Sequence, residues 1–234
     1  SGLRLRSVVG ADLVLAEVTN SKTANLYSAA KRVFDIAVSL IMLAFLSPML
    51  LLISILLRLE GAPILFSQVR ISRGGRRFDC YKFRSMRPDA EKRLLEMLSR
   101  SPDARNEWNR HQKLQNDPRI TPLGRFIRMT SLDEVPQLIN VLKGDMSLVG
   151  PRPIIAPEVP GYPSDKAYFD SSEFAHYAEC LPGITGLWQV SGRTQTTHNE
   201  RIRLDRWYAR NRSFSLDLII LFKTVREILG CNGR

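Results

Sequence analysis

The stretch VFDIAVSLIMLAFLSPMLLLISILL, residues 33–57, decides how the rest of this chain is read. It is apolar over a length that matches the hydrocarbon core of a bilayer, which takes roughly 20 helical residues. Its centre carries Ser47-Pro48. A proline inside a helix lacks the amide proton and crowds the carbonyl four residues back, so a break or kink is predicted near Ala44. The Ser47 hydroxyl is expected to bond the backbone that the proline frees. The two halves, about 15 and about 10 residues, are each too short to span a bilayer at about 1.5 Å per residue.

Charge placement narrows the reading. Lys22, Lys31 and Arg32 precede the run, and Arg58, Arg70, Arg73, Arg76, Arg77, Lys82, Arg84 and Arg87 follow it. Positive residues favour the cytoplasmic side of a membrane, and here both flanks prefer the same side. A re-entrant helix–break–helix over residues 28–58 satisfies both. A kinked single span and a buried core helix remain open alternatives. Residues 1–27 are unperiodic and read as a lead-in, and residues 59–234 as a cytosolic domain. Asp35 sits at the spacing to pair with Lys31 or Arg32.

The chain has 234 residues, enough for one core or a core with a small subdomain. Its net charge of +11 predicts an anionic partner: nucleic acid, an acidic lipid surface or phosphorylated small molecules. Cys80, Cys180 and Cys231 are scattered and form no CxxC pair, so neither a zinc site nor a disulfide framework is read, and free thiols suit a reducing compartment. The apolar run begins too late and is too long for a signal peptide. Residue 1 is serine, which reads as a trimmed or partial chain.

After the run, alternation predicts a β-hairpin: a strand from Ile64 to Val69, a turn at Arg73-Gly74-Gly75-Arg76, and a strand from Phe78 to Phe83. Prolines 88 and 102 open two charged amphipathic helices, to about Arg100 and Leu114. Helices are predicted over 121–129, 133–142, 198–211 and 215–229. Segments 151–163 and 181–183 read as loops, and 187–190 as a short strand. In the last helix Leu218, Ile219, Leu221, Phe222, Val225, Ile228 and Leu229 make an apolar face opposite Lys223 and Arg226. That face suits either a core or a membrane interface.

The chemistry concentrates at Ser131-Leu132-Asp133-Glu134-Val135-Pro136-Gln137. Ser131 with Glu134 matches a capping box, and acidic residues at a helix start are ordinarily caps. The positive end of a helix also keeps carboxylates ionised, which suits a nucleophile and a hard-oxygen ligand for Mg²⁺. Two arginines, Arg125 and Arg128, precede the pair, and Gly150-Pro151-Arg152-Pro153 follows it. An arginine between two prolines has little backbone freedom, which suits a preset phosphate contact as well as a rigid packing loop. Gly183-Ile184-Thr185-Gly186 and Ser191-Gly192-Arg193 are glycine turns that permit close approach of a phosphate. Asp205, among Arg201, Arg203 and Arg206 on one helix, reads from spacing alone as an ion-paired surface residue. The histidines sit in no metal-ligand spacing, and neither a Walker A loop nor a dinucleotide fingerprint occurs.

These segments occur together in a telling order: Lys31-Arg32 with Asp35, Ser47-Pro48, Tyr81-Lys82-Phe83-Arg84-Ser85-Met86, Ser131-Leu132-Asp133-Glu134, Asn140 to Ser147, Val149 to Pro153, Pro182 to Gly186, and Gly192-Arg193. In that combination the chain resembles the bacterial sugar transferases, the monotopic phosphoglycosyl transferases, over about residues 28–230. The resemblance implies an α+β fold, mostly helical and monotopic, with a re-entrant helix broken at Ser47-Pro48, a small β-hairpin and amphipathic interfacial helices. It implies a site on the cytoplasmic face of a bacterial inner membrane. It implies transfer of a sugar 1-phosphate from a UDP-sugar to polyprenyl phosphate with release of UMP. Asp133 would be the nucleophile and Glu134 its partner, with Mg²⁺ bound at the two carboxylates. Lys82, Arg84, Arg128, Arg152 and Arg193 would be phosphate or nucleotide contacts, and Asp205 a polar member of the site.

Leu181 departs from the pattern, because members often carry a basic residue before that Pro-Gly turn. Larger members carry transmembrane helices upstream that residues 1–30 do not show, so a short-form enzyme or a catalytic fragment is expected. The 88–114 segment and Gly186-Leu187-Trp188-Gln189 look most like hexose-transferring members, so UDP-galactose or UDP-glucose is the expected donor. A homodimer stays open. Two rivals remain. A membrane-tethered RNA or lipid binder fits the charge, yet the aromatics form no stacking runs between basic residues, so no nucleic-acid partner is expected. A glycosyltransferase would release UDP instead of UMP.

Overall fold

The computed structural model describes residues 4–7, 14–17, 21–61, 63–111, 114, 117–159, 162–192 and 197–229. It is mixed α and β, mostly helical, with the long apolar helix near its N-terminal end. Helix α1 runs Ser21–Leu59 as one element, with Pro48 inside it. The predicted break is therefore not an interruption of the helix. The Ser47 hydroxyl donates to the Ala44 carbonyl at 2.8 Å, the compensation expected where proline removes an amide donor. At about 1.5 Å per residue the helix is roughly 58 Å long. It also starts inside the expected lead-in, and that lead-in holds an antiparallel pair, β1 (Arg4–Ser7) with β2 (Val14–Glu17).

α1 meets the rest of the chain at both ends. Near its start, Phe34 and Val38 pack against Leu138 and Val141 of α5 (Gln137–Lys143), Leu148 of β5 (Ser147–Val149) and Leu216 and Ile220 of α9 (Phe214–Leu229). Polar anchors reinforce that contact. Arg32 donates to the Val141 and Leu142 carbonyls at 2.6 and 3.0 Å, satisfying the last turn of α5. Asp35 accepts from the Ser147 hydroxyl at 2.7 Å, and Lys31 reaches Asp217 at 2.8 Å. Near its end, Ile53 and Leu57 pack with Phe83 and Ile127. Between these anchors most apolar side chains are bare, with Phe45 82% and Ile41 67% exposed, while Leu43, Met49 and Leu50 are partly buried against the two clusters. The Leu26–Leu59 segment reaches a mean hydropathy of 2.7 and is long and apolar enough to cross a membrane.

The hairpin forms as predicted. β3 (Leu65–Ile71) pairs antiparallel with β4 (Arg77–Phe83), setting Gln68 opposite Cys80 and Phe66 opposite Lys82. Helices α2 (Ala90–Arg100), α3 (Pro102–His111) and α4 (Pro122–Met129) follow close to their expected bounds. Thr121 caps α4 by accepting from the Gly124 amide, and proline opens the first turn, where its missing donor costs nothing. The predicted helix over 133–142 is divided: Leu132–Glu134 form a 3₁₀ turn and α5 starts after Pro136, whose ring suits a helix start.

Two short strands escaped prediction. β5 pairs in parallel with β6 (Gly183–Thr185), and the expected strand at 187–190 is a turn. The junction leaves no room for side chains: a Cβ on Gly150 or Gly183 would lie 2.3 or 2.1 Å from backbone of the other segment. Glycine is needed there because two backbones touch. Two small helices, α6 (Pro163–Phe169) and α7 (Phe174–Ala178), lead into β6. α8 (His198–Asn211) starts on a capping box of Thr197 and Glu200. In α9 the inward residues are Leu216, Asp217 and Ile220, whereas Leu218, Phe222 and Val225 of the expected apolar face point outward and stay exposed.

Candidate active site

The two carboxylates sit on a strained turn. Ser131 takes φ 57°, ψ 16°, the one left-handed non-glycine among the described residues. Such backbone costs on the order of 1–3 kcal/mol and turns the chain sharply between α4 and the 3₁₀ turn. Its side chain makes no cap, so the capping-box reading of Ser131 and Glu134 does not hold. Glu134 is held elsewhere. Lys82 of β4 donates to it at 2.6 Å and lies 4.0 Å from Asp133.

A small cleft of about 200 Å³, counting its open mouth, lies beside Glu134. Lys82, Glu134, Arg152, Arg70 and Gln137 line it, with Cys80, Pro153, Gly183 and Ile184. Three cations thus surround Glu134, while Asp133 does not line the cleft and meets it through Lys82 at 4.0 Å. Burial works against ionising Glu134, yet Lys82, Arg152 and Arg70 outweigh it and pull the carboxyl down to about 2. Asp133, 9% exposed, goes the other way: burial pushes it above the ordinary carboxylate range, the Glu134 charge adds to that, and Lys82 and Arg128 oppose it. Two adjacent carboxylates are thus differentiated by their surroundings, a pattern common where groups have separate chemical roles.

The loop carrying Arg152 is fixed atom by atom. The Pro151 carbonyl accepts from Gly183 N at 2.9 Å, and the Arg152 carbonyl from Arg201 at 3.3 Å. The Pro153 carbonyl accepts from Arg70 at 2.5 Å, and the Ile154 carbonyl from Ile71 N at 2.9 Å. On the other side of the loop, Ile154 N donates to Tyr177 and Ile155 N to Asp165. The Arg152 guanidinium lies 5.9 Å from the ring centroid of Trp188.

The sequence-derived candidates therefore separate. Lys82, Glu134 and Arg152 line the cleft, Asp133 lies beside it 4.0 Å from Lys82, and Arg128, on the last turn of α4, acts on Asp133 electrostatically. Arg84 does not line the cleft: it is buried and donates to the Leu57 carbonyl at the end of α1 at 2.9 Å. Asp205 is not a surface residue. It is 2% exposed, behind the Arg152 loop, 3.7 Å from Arg201. Burial pushes its carboxyl up to about 7 against the pull of Arg201 and Arg152. Arg193 lies outside the described residues. Arg70 was missed as a site residue. It reads as one cation among many, and nothing in its spacing shows that β3 buries it at 7% exposure over the cleft.

The donor set bears on metal binding. Among the described residues no three histidine, cysteine, aspartate or glutamate side chains converge, so Asp133 and Glu134 stand as a pair. Two hard-oxygen groups fit Mg²⁺, which takes one or two carboxylates and completes its shell with water and phosphate oxygens. They do not fit a structural zinc site, which takes four nitrogen or sulfur ligands.

The family model described as bacterial sugar transferase matches residues 26–231. The chain belongs to that family. Within it, the chain is 44% identical over 222 residues to a Salmonella typhimurium undecaprenyl-phosphate galactose phosphotransferase, covering 95% of this chain and 45% of that protein. It is 40% identical to an Erwinia amylovora UDP-galactose-lipid carrier transferase, covering 99% of this chain and 47% of that protein. The chain thus spans about half the length of these two relatives. It matches the Rhizobium meliloti exopolysaccharide production protein ExoY at 41% identity over 87% of both chains. In this bacterial sugar transferase, the elements that build the cleft, β3 to β6 with the 3₁₀ turn, all lie inside the matched region.

Proposed function

We propose that this chain is a Mg²⁺-dependent UDP-hexose:polyprenyl-phosphate hexose-1-phosphotransferase of exopolysaccharide synthesis. The observation that carries the reading is the cleft, where Lys82, Arg70 and Arg152 gather at Glu134 with Asp133 next to it and 4.0 Å from Lys82, on a protein with a largely bare apolar helix. A UDP-sugar diphosphate and a lipid phosphate are both anionic, so attack by a carboxylate needs preset cations. The names of the Salmonella and Erwinia relatives favour galactose as the hexose.

In this mechanism an Asp133 oxygen attacks the sugar-bearing phosphorus. The bond from that phosphorus to the bridging oxygen breaks, and UMP leaves with the electron pair. A phosphate oxygen of the polyprenyl acceptor then attacks the aspartyl-bound phosphorus, releasing the Asp133 carboxylate and forming a polyprenyl diphosphate sugar. Two displacements replace a crowded three-body step. Lys82 holds Glu134 ionised and limits the repulsion that incoming phosphate meets. Arg152 and Arg70 stabilise charge on the leaving UMP. Mg²⁺, held by Asp133 and Glu134, would neutralise diphosphate charge when bound.

The membrane reading goes with the chemistry. α1 enters and leaves one leaflet on the cytoplasmic side of the inner membrane by bending at Pro48, a kink that a continuous helix can carry. Supporting this, both ends of α1 pack on the same body while its middle is bare, and its flanks are basic. A helix crossing to the far side would carry one anchor away from that body. The exposed Leu218, Phe222 and Val225 of α9 suit an interfacial contact. The acceptor phosphate lies at that same surface.

Product analysis tests the function. Incubation with UDP-galactose, Mg²⁺ and a polyprenyl phosphate is expected to yield UMP. UDP as product would make the protein a glycosyltransferase. Salt-dependent RNA binding indifferent to Asp133, without nucleotide release, would favour the binding-protein reading.

A further inference from the structure

Behind the cleft lies an ion pair that the chemistry above does not use. Arg201, on the buried side of α8, donates to Asp165 of α6 at 2.9 Å and to the Arg152 carbonyl at 3.3 Å. The other Asp165 oxygen accepts from Ile155 N at 2.9 Å. One ion pair thus grips the loop at two backbone atoms, on either side of Pro153. Neither residue lines the cleft.

Stability alone is a poor reason for such a pair. Burying two charges costs several kcal/mol of desolvation, and apolar residues of similar volume often serve as well. What an apolar pair cannot do is bond to backbone. The loop needs that from outside, because Pro151 and Pro153 have no amide proton to donate. Its four consecutive carbonyls, Pro151 to Ile154, are bonded by donors from β6, α8 and β3. Arg201 supplies the donor for Arg152 itself. The Arg201 guanidinium also lies 5.5 Å from the centroid of the Trp188 ring that Arg152 approaches.

We propose that Arg201 and Asp165 are positioning residues for the donor site: they fix the backbone around Arg152 and so aim its guanidinium at the phosphates bound beside Glu134. This rests on the donor reading of the cleft given above. A displacement of about 1 Å at a charged contact costs on the order of a hundredfold in rate, so a residue that never touches substrate can control turnover.

A double-mutant cycle separates positioning from a merely structural role. The full chain is assayed in nanodiscs as wild type, Arg201→Met, Arg152→Met and the double variant. UMP release gives KM and kcat for UDP-galactose, calorimetry gives UMP affinity, and thermal unfolding gives the state of the fold. Arg201→Met is expected to raise donor KM and weaken UMP binding about tenfold or more. In the Arg152→Met background the same change should add less than about twofold. Arg201→Lys, able to reach one partner but not both, should recover part of the loss. If Arg201→Met fails to fold, Asp165→Asn takes its place in the cycle. Multiplying effects of the two substitutions, or an unchanged donor KM and UMP affinity in a folded variant, would overturn the proposal. A wild type that binds UMP yet releases UDP would sink the proposed reaction while leaving this cycle readable through UMP affinity.

Discussion

Helix α1 and the cleft are built in opposite ways. α1 is contiguous, apolar and largely bare along its middle, with its polar anchors Lys31, Arg32 and Asp35 near its start. The cleft draws single residues from β3, β4, the 3₁₀ turn, α5, the Arg152 loop and β6, scattered from Arg70 to Ile184. Along the bare middle of α1, one apolar residue can stand for another. In the cleft the charged side chains Lys82, Glu134 and Arg70 are each held by a named partner. Changes in α1 should therefore alter where the protein resides, and changes in the cleft what it does.

The largest expected effect is at Asp133. Asp133→Asn should lower UMP release at least about a thousandfold, the scale on which a lost nucleophile acts. The membrane-bound fraction on ultracentrifugation should stay as in wild type. Full activity in that variant would remove the nucleophile from the account. Next come Lys82→Met and Arg152→Met, each expected to cost about a hundredfold in kcat/KM for the donor, as removal of a preset electrostatic contact does. Both should also leave membrane binding intact.

The converse change tests the other side of the comparison. Phe45→Asp and Ile41→Asp place charges on the bare face of α1. Each costs about 2.5–3.5 kcal/mol at a helix centre in hydrocarbon, and less nearer the interface. Together they should shift protein from the membrane pellet to the supernatant. Acceptor-independent UMP release should remain within a few fold of wild type. A parallel loss of donor chemistry would mean that α1 and the cleft are not separable.

The smallest effect concerns pH. Burial pushes the Asp205 carboxyl from 3.8 up to about 7, so between those values the folded chain keeps a proton that the unfolded chain releases. The unfolded state binds fewer protons there, and stability contributed by this group falls as pH rises from about 4 to about 7. Asparagine does not titrate. The thermal midpoint of Asp205→Asn relative to wild type should therefore climb by a few degrees from pH 5 to pH 7.5, then level off. A relative midpoint that falls with pH would show that the folded carboxyl is not raised.

The same contrast explains what the sequence made legible. α1, the β3–β4 hairpin and α8 carry strong periodicity, charge flanks or caps, so their positions followed from local pattern. β5 and β6 are three residues each and exist only because Gly150 and Gly183 let two distant backbones touch. Pro48 predicted a broken helix, and the helix continues because Ser47 answers the missing donor locally. At the site, Asp133, Glu134, Lys82 and Arg152 were found through the order of motifs and converge in space. Arg84 shared that motif order yet bonds to the end of α1. Arg70, Arg201 and Asp165 have no local mark, since their meaning lies in the carbonyls and amides of a loop over 40 positions away for Arg201 and over 80 for Arg70.

The central claim is that Asp133 becomes covalently bound to the sugar phosphate. The purified protein is incubated with UDP-galactose and Mg²⁺ without any polyprenyl phosphate, quenched in acid and weighed intact, then digested. The account predicts a hexose-phosphate adduct on the peptide carrying Asp133, one equivalent of UMP, and neither in Asp133→Asn. Catalytic UMP release on adding acceptor, with no adduct at any earlier time and an unimpaired Asp133→Asn, would contradict it.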